Sequence, residues 1–164
     1  MNKDTYPKGV VPLEIAKKMK TLGFSEPCVF FHRERGEDGH VCLNADDTQI
    51  RGYADYSKVC FVQYYIDIET YNSNQHKEYT SLPDFETAYD WFMSFDFIEG
   101  FFVKKKERGY YEFLLYAKNK TEESYCKRCK FKGLEKTRYE LFNELCNTIY
   151  YYEKVLKADK DEKQ

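Results

Sequence analysis

The run Asp84 to Ala117, DFETAYDWFMSFDFIEGFFVKKKERGYYEFLLYA, constrains the fold more than any other stretch, because its hydrophobic period changes partway along. Phe85, Ala88, Tyr89, Phe92 and Phe95 recur at three- and four-residue steps, the period of a helix. Trp91 sits on the shoulder of that stripe, and Glu86, Asp90 and Ser94 fall opposite it. Asp84 follows Pro83 and is placed to cap the helix through its carboxylate. Phe97 to Val103 is then short and apolar, and Tyr110 to Ala117 alternates, with Tyr111, Phe113 and Leu115 on one face. Lys104 to Gly109 lies between them as a turn closed by glycine. One helix followed by a two-stranded hairpin is the prediction. Helical spacing already accounts for the aromatic stripe, so it reads as packed core rather than a ligand box.

The flanking elements predict an α+β fold, with small antiparallel sheets packed against about three helices. At 164 residues the chain suits one compact domain, 1–164, with candidate subunits at 12–44 and 84–157. Pro12 suits the first turn of a helix whose buried face is Leu13, Ile15, Ala16, Met19 and Leu22, and Gly23 suits its end. Residues 1–11 read as a loose lead-in. Cys28 to Arg33 and His40 to Leu43 read as strands about the turn Gly36 to Gly39. This order repeats that of the central run. At an offset of 73, Phe24 meets Phe97 and Glu34-Arg35-Gly36 meets Glu107-Arg108-Gly109, an echo of internal duplication or of convergent turn chemistry. Val59 to Thr70 is expected to be a strand, whereas Tyr71 to Ser81 and Lys118 to Gly133 are expected to be polar connections. Thr137 and Glu140 have the spacing of a capping box before a final helix striped by Tyr139, Phe142, Leu145, Ile149, Tyr152 and Leu156.

Charge and composition exclude several classes. A formal net charge of −2 argues against non-specific duplex DNA binding, which draws on a strong basic excess. No run approaches the length of a membrane span, and the N-terminal residues lack the apolar core of a signal peptide. A cytoplasmic protein with six reduced cysteines is the expectation. Sixteen Tyr and thirteen Phe build the core and its margins largely from aromatic rings; tyrosine tolerates a wet edge, and that many can also supply a contact surface.

No catalytic constellation emerges. Cys126-Lys127-Arg128-Cys129 is the best metal candidate, but only Cys146 follows it, which leaves a zinc site one ligand short. Cys28, His32, His40 and Cys42 lie on the first predicted hairpin, where buried thiols and edge histidines are the ordinary outcome. Acid pairs such as Asp46-Asp47 and Glu122-Glu123 read as solvated surface. No G-x-S-x-G elbow, phosphate-cradling glycine loop or H-E-x-x-H helix occurs. A non-catalytic protein without cofactor or metal is therefore expected.

Three basic clusters remain: Arg33 with Arg35, Lys104-Lys105-Lys106 with Arg108, and Lys127, Arg128, Lys130 and Lys132 flanked by Tyr125 and Phe131. Lysine-rich turns serve to keep strand edges from pairing with neighbours. They also suit an anionic partner, either an acidic protein groove or single-stranded RNA, where rings stack on bases and cations meet phosphates.

In Leu13-Glu14-Ile15-Ala16-Lys17-Lys18-Met19-Lys20, Leu22-Gly23-Phe24 and Glu26-Pro27-Cys28, and again in Leu82-Pro83 with Phe85, Ala88 and Asp90-Trp91-Phe92, the chain resembles small uncharacterised accessory proteins of Bacteroidetes phages and mobile elements. The likeness covers about half the chain; the Asn44 to Ser81 segment and the Cys126 to Lys132 segment depart from it. The group brings no catalytic residue. What the resemblance implies is an anti-CRISPR-like inhibitor that binds a host defence protein or its ribonucleoprotein, an RNA-guided effector nuclease, in the host cytoplasm. The contact residues expected are Arg33, Arg35, Lys104, Lys105, Lys106, Arg108, Lys127, Arg128 and Lys130, with exposed tyrosines beside them. A small single-stranded RNA-binding module is the alternative, and a zinc-dependent enzyme a more distant one.

Overall fold

The computed structural model describes residues 9–33, 40–43, 73–119 and 123–156. They form an α+β protein with two three-stranded antiparallel sheets. The chain divides into two compact units, 1–88 and 89–164.

In the first unit, helix α1 spans Leu13–Thr21, with Pro12 as the residue that opens it. Its end is set by Gly23, at φ +94. Phe24 N–H donates to Met19 O at 2.9 Å and Gly23 N–H to Lys20 O at 3.1 Å, the paired bonds of a Schellman motif. Strands β1 (Phe30–Arg33), β2 (His40–Leu43) and β3 (Tyr79–Leu82) form a sheet in the order β2-β1-β3. Strand β1 is shorter than expected, beginning after Cys28 rather than at it. The end of the lead-in, at Val10 and Val11, is less loose than its composition suggests. Val10 and Val11 are buried, and Val11 N–H donates to Pro83 O at 2.8 Å. Ile15, Ala16, Met19, Phe24 and Leu82 fill the core, each burial stabilising by roughly 1.5–3 kcal/mol for the larger side chains.

The connection expected over Tyr71 to Ser81 contains β3. The ladder of β3 with β1 is braced by side-chain bonds to backbone rather than marked by hydrophobic alternation. Asn74 Nδ2 donates to Phe24 O and Ser81 N–H donates to Asn74 Oδ1, each at 2.9 Å. The Lys20 ammonium donates to the carbonyls of His76, Lys77 and Tyr79. The strand expected at Val59 to Thr70 lies outside the described residues.

Helix α2, Phe85–Met93, carries the chain across the unit boundary. Asp84 caps it as expected, accepting Thr87 N–H at 2.7 Å. In the second unit, β4 (Ile98–Lys105), β5 (Tyr110–Lys118) and β6 (Ser124–Lys132) make a meander in the order β4-β5-β6, and α3, Leu134–Tyr150, packs on it. Phe92 stacks on Phe142 with centroids 5.6 Å apart and meets Phe101 edge-on at 6.1 Å. Phe113, Leu115, Leu145 and Ile149 complete this core. The helix–hairpin order occurs in both units, and Phe24 and Phe97 are both buried just beyond their helices. The sheets are centred differently, on β1 in the first and on β5 in the second.

Two expectations about the C-terminal third are corrected. Lys118 to Gly133 is not a loop: most of it is β6, nine residues paired without a register break from Ser124↔Lys118 to Lys132↔Tyr110. Thr137 and Glu140 do not form a capping box, because α3 begins at Leu134, directly after Gly133. Thr137 is buried inside the helix and its hydroxyl donates back to Gly133 O at 2.7 Å.

Candidate functional site

Strand alternation sorts the second sheet into two faces. Register places Lys104, Glu112 and Lys130 in one row, Phe102, Leu114 and Arg128 in the next, and Gly100, Tyr116 and Cys126 in a third. All nine positions share one face. The other face, carrying Phe101, Phe113 and Leu115, is core. Exposure along β6 alternates strictly, with Ser124, Cys126, Arg128, Lys130 and Lys132 exposed and Tyr125, Lys127, Cys129 and Phe131 half-buried.

Rings and cations are interleaved on this face, which the pair Tyr110↔Lys132 extends. Phe102 is 48% exposed, an unusual state for a large apolar ring in mid-strand. It stacks beside Tyr116, at 6.2 Å between centroids and 25° between planes. Tyr110 is 38% exposed and has the Lys130 ammonium 4.9 Å from its ring centroid. Lys104, Lys130 and Lys132 make no ion pair among the described residues.

Glu112 stands in the middle of these cations. Lys106 Nζ is 2.9 Å from its Oε2 and Arg128 Nε 3.8 Å from its Oε1, and its side chain is only 11% exposed. The hydrogen bond from Lys106 holds the carboxyl below its ordinary value against the opposing effect of burial; the charges of Lys106, Arg128 and Lys104 add to the depression. The Tyr116 hydroxyl is shifted upward, first by burial and then by the neighbouring Cys126 thiol.

The cations expected from the sequence are distributed as follows. Lys104, Arg128 and Lys130 lie on the face. Lys106 reaches it from the turn, where it is paired to Glu112. Lys105 pairs with Tyr111 and belongs to the opposite side of the sheet. Arg108 lies in the turn in a left-handed conformation, φ 56. Lys127 also points away from the face, toward α3, with its ammonium 2.6 Å from Glu144 Oε1. Arg33 belongs to the first unit, its guanidinium 5.5 Å from the Tyr79 ring centroid. Arg35 lies outside the described residues. Phe102, Tyr110, Tyr116 and Glu112 belong to the face without having been marked by any motif, because membership depends on strand register; Lys132, part of the third basic cluster, joins it as well.

The cysteine candidates separate on the same grounds. Cys126 and Cys129 are three apart on a regular strand and so point to opposite faces. In the first sheet, register sets His32 opposite Val41, one residue out of step with His40 and Cys42. Among the described residues, no three of His, Cys, Asp and Glu gather as metal ligands.

Charge is divided between the units. Residues 89–164 carry sixteen Lys and Arg against fourteen Asp and Glu, whereas residues 1–88 carry ten against fourteen. Within Ile98 to Lys132, the span of the second sheet, ten Lys and Arg face five Glu. Among the described residues, no helix is long and apolar enough to cross a membrane. No protein-family model, curated protein or solved structure matches the chain.

Proposed function

We propose that this chain is a non-catalytic binding protein that takes single-stranded RNA on the solvent face of its second sheet. The observation that carries the reading is the row Phe102–Leu114–Arg128, in which an exposed ring and an exposed cation flank a buried apolar floor on one face. An unpaired base offers a flat surface to such a ring, and its phosphate offers an anion to the cation. A duplex fits less well, since its bases are already stacked and Glu112 opposes a broad polyphosphate surface.

A narrower role draws on the resemblance in Leu13 to Cys28 and Leu82 to Phe92. It makes the protein an inhibitor of an RNA-guided effector nuclease in a host cytoplasm, with the same face set against the guide strand of the ribonucleoprotein.

Fluorescence polarisation of a labelled ten-nucleotide single-stranded RNA, across a salt series, tests the general reading. Saturable binding that weakens steeply with salt and exceeds binding to the matching duplex is expected. Equal affinity for both, or no binding at low salt, removes RNA as the ligand. Inhibition of the nuclease by the intact protein, lost when Lys104, Arg128 and Lys130 are all changed to Ala, would single out the narrower role.

A further inference from the structure

The spacing of the cations along β6 says how a strand of RNA lies on this face. Arg128, Lys130 and Lys132 are alternate residues of a regular strand. Alternate side chains on one face of an antiparallel strand repeat every ~7 Å. The phosphates of an extended single strand follow one another at a step of the same order. No other set of cations on the sheet keeps this repeat: Lys106 is closed on Glu112 at 2.9 Å, Lys105 and Lys127 face the other way, and Arg128, though 3.8 Å from Glu112, keeps its side chain 65% exposed.

Resting on the RNA reading above, we propose that β6 is a phosphate rail, with three consecutive phosphates on Arg128, Lys130 and Lys132 and the bases laid across β5 toward Phe102 and Tyr116. Two features of the sheet impose this orientation. Phe102 and Arg128 flank Leu114 on opposite sides, two strand spacings or ~10 Å apart, which is within reach of a nucleotide spanning from phosphate to base. Glu112, centred on β5 in the row of Lys104 and Lys130, repels phosphate from the middle of the face and leaves that ground to bases. The site is therefore short, about three nucleotides, and reads a single strand by its backbone pitch.

The test is a salt series with oligouridylates of two to ten nucleotides and with an abasic decamer, on the full chain and single variants whose melting temperatures match the parent. Arg128→Ala, Lys130→Ala and Lys132→Ala should each flatten the slope of log affinity against log salt by about 0.7, the single-strand value per phosphate. Lys127→Ala, on the same strand but facing α3, should leave the slope unchanged. Phe102→Ala should weaken the decamer about 5- to 150-fold with no change of slope, and should not weaken the abasic decamer further. Affinity should climb steeply up to about three or four nucleotides and only gradually beyond. If the parent binds RNA but the three β6 variants keep its slope, the rail is wrong and the RNA reading survives. If the parent binds no single strand, both fall. A poly-aspartate peptide bound as tightly as the decamer, and equally insensitive to Phe102→Ala, would overturn the rail by making the face a general polyanion surface.

Discussion

Lys127 and Arg128 are neighbours in the chain and opposites in the fold: Lys127 reaches Glu144 on α3 at 2.6 Å, while Arg128 stands 65% exposed on the other face of β6. A basic pair in sequence is thus one cation closed on a helix and one mostly exposed, held only at 3.8 Å from Glu112. Lys127→Ala should cost up to about 1 kcal/mol in chemical denaturation, the range of a partly exposed ion pair, and leave RNA binding unchanged. Arg128→Ala should do the reverse, weakening binding without a measurable change in stability. Binding loss in both variants alike would mean that the two faces do not divide the work in this way.

Glu112 restrains two of the cations around it, so its removal should strengthen binding of an anionic strand. Glu112→Gln keeps the shape and releases Lys106 and Arg128, and polarisation titrations should show tighter binding with a steeper salt slope. The carboxyl itself should titrate below its ordinary 4.5 in the folded protein, because Lys106 donates a hydrogen bond to the charged form. Its pair with Lys106 then stabilises the fold fully above that ordinary value and loses its contribution as the pH falls through the lower folded value. Side-chain carbonyl NMR reads this directly. A midpoint at or above 4.5, or one that does not rise in Lys106→Met, would show that the pair is not formed in solution.

The central aromatic run was legible because burial wrote a period into it: Phe92 and Phe101 are core, and the helix cap at Asp84 is a local bond. Strand β6 was hidden because its half-buried side, Tyr125, Cys129 and Phe131, is interrupted by a lysine and none of it is fully buried. Its half-buried side holds Lys127, made tolerable by Glu144 on an element that comes later in the chain. Strand β3 was hidden because it pairs with β1 and is braced by Asn74 and Lys20 through backbone groups, none of which leaves a hydrophobic pattern. The capping signal at Thr137 was misleading for a related reason. Once β6 runs to Lys132, only Gly133 separates strand from helix, so the helix starts earlier than its best cap. The candidate face shares the difficulty of β6. Each of its lysines is visible in the sequence, but the neighbours that give them meaning, Phe102 and Glu112, are set by register.

Gly23 closes α1 at φ +94 with no atom within 4 Å of where a Cβ would sit. Its substitution therefore isolates backbone strain from packing. Gly23→Ala should cost about 1 kcal/mol in urea denaturation and Gly23→Asn less, since asparagine visits the left-handed region more readily. An alanine variant as stable as the parent would mean that the Schellman bonds to Met19 and Lys20 can be kept in another conformation.

Thiol labelling offers a footprint of the face. Cys126 is exposed in the row of Tyr116, whereas Cys28 is buried, its thiol pushed up to about 12 by burial first and then by Asp84 and Glu26. The raised value keeps Cys28 protonated through neutral and mildly alkaline pH, and only the thiolate alkylates. With iodoacetamide at pH 8, site-resolved mass spectrometry should find Cys126 modified early and Cys28 only on unfolding. A saturating oligouridylate should slow modification of Cys126, because bases stacked on Phe102 and Tyr116 cover the neighbouring thiol. The same ligand should leave Cys28 as it was. Unslowed labelling of Cys126 under saturation would confine the bound strand to the rows of Arg128 and Lys130 and exclude Tyr116 from the stacking surface.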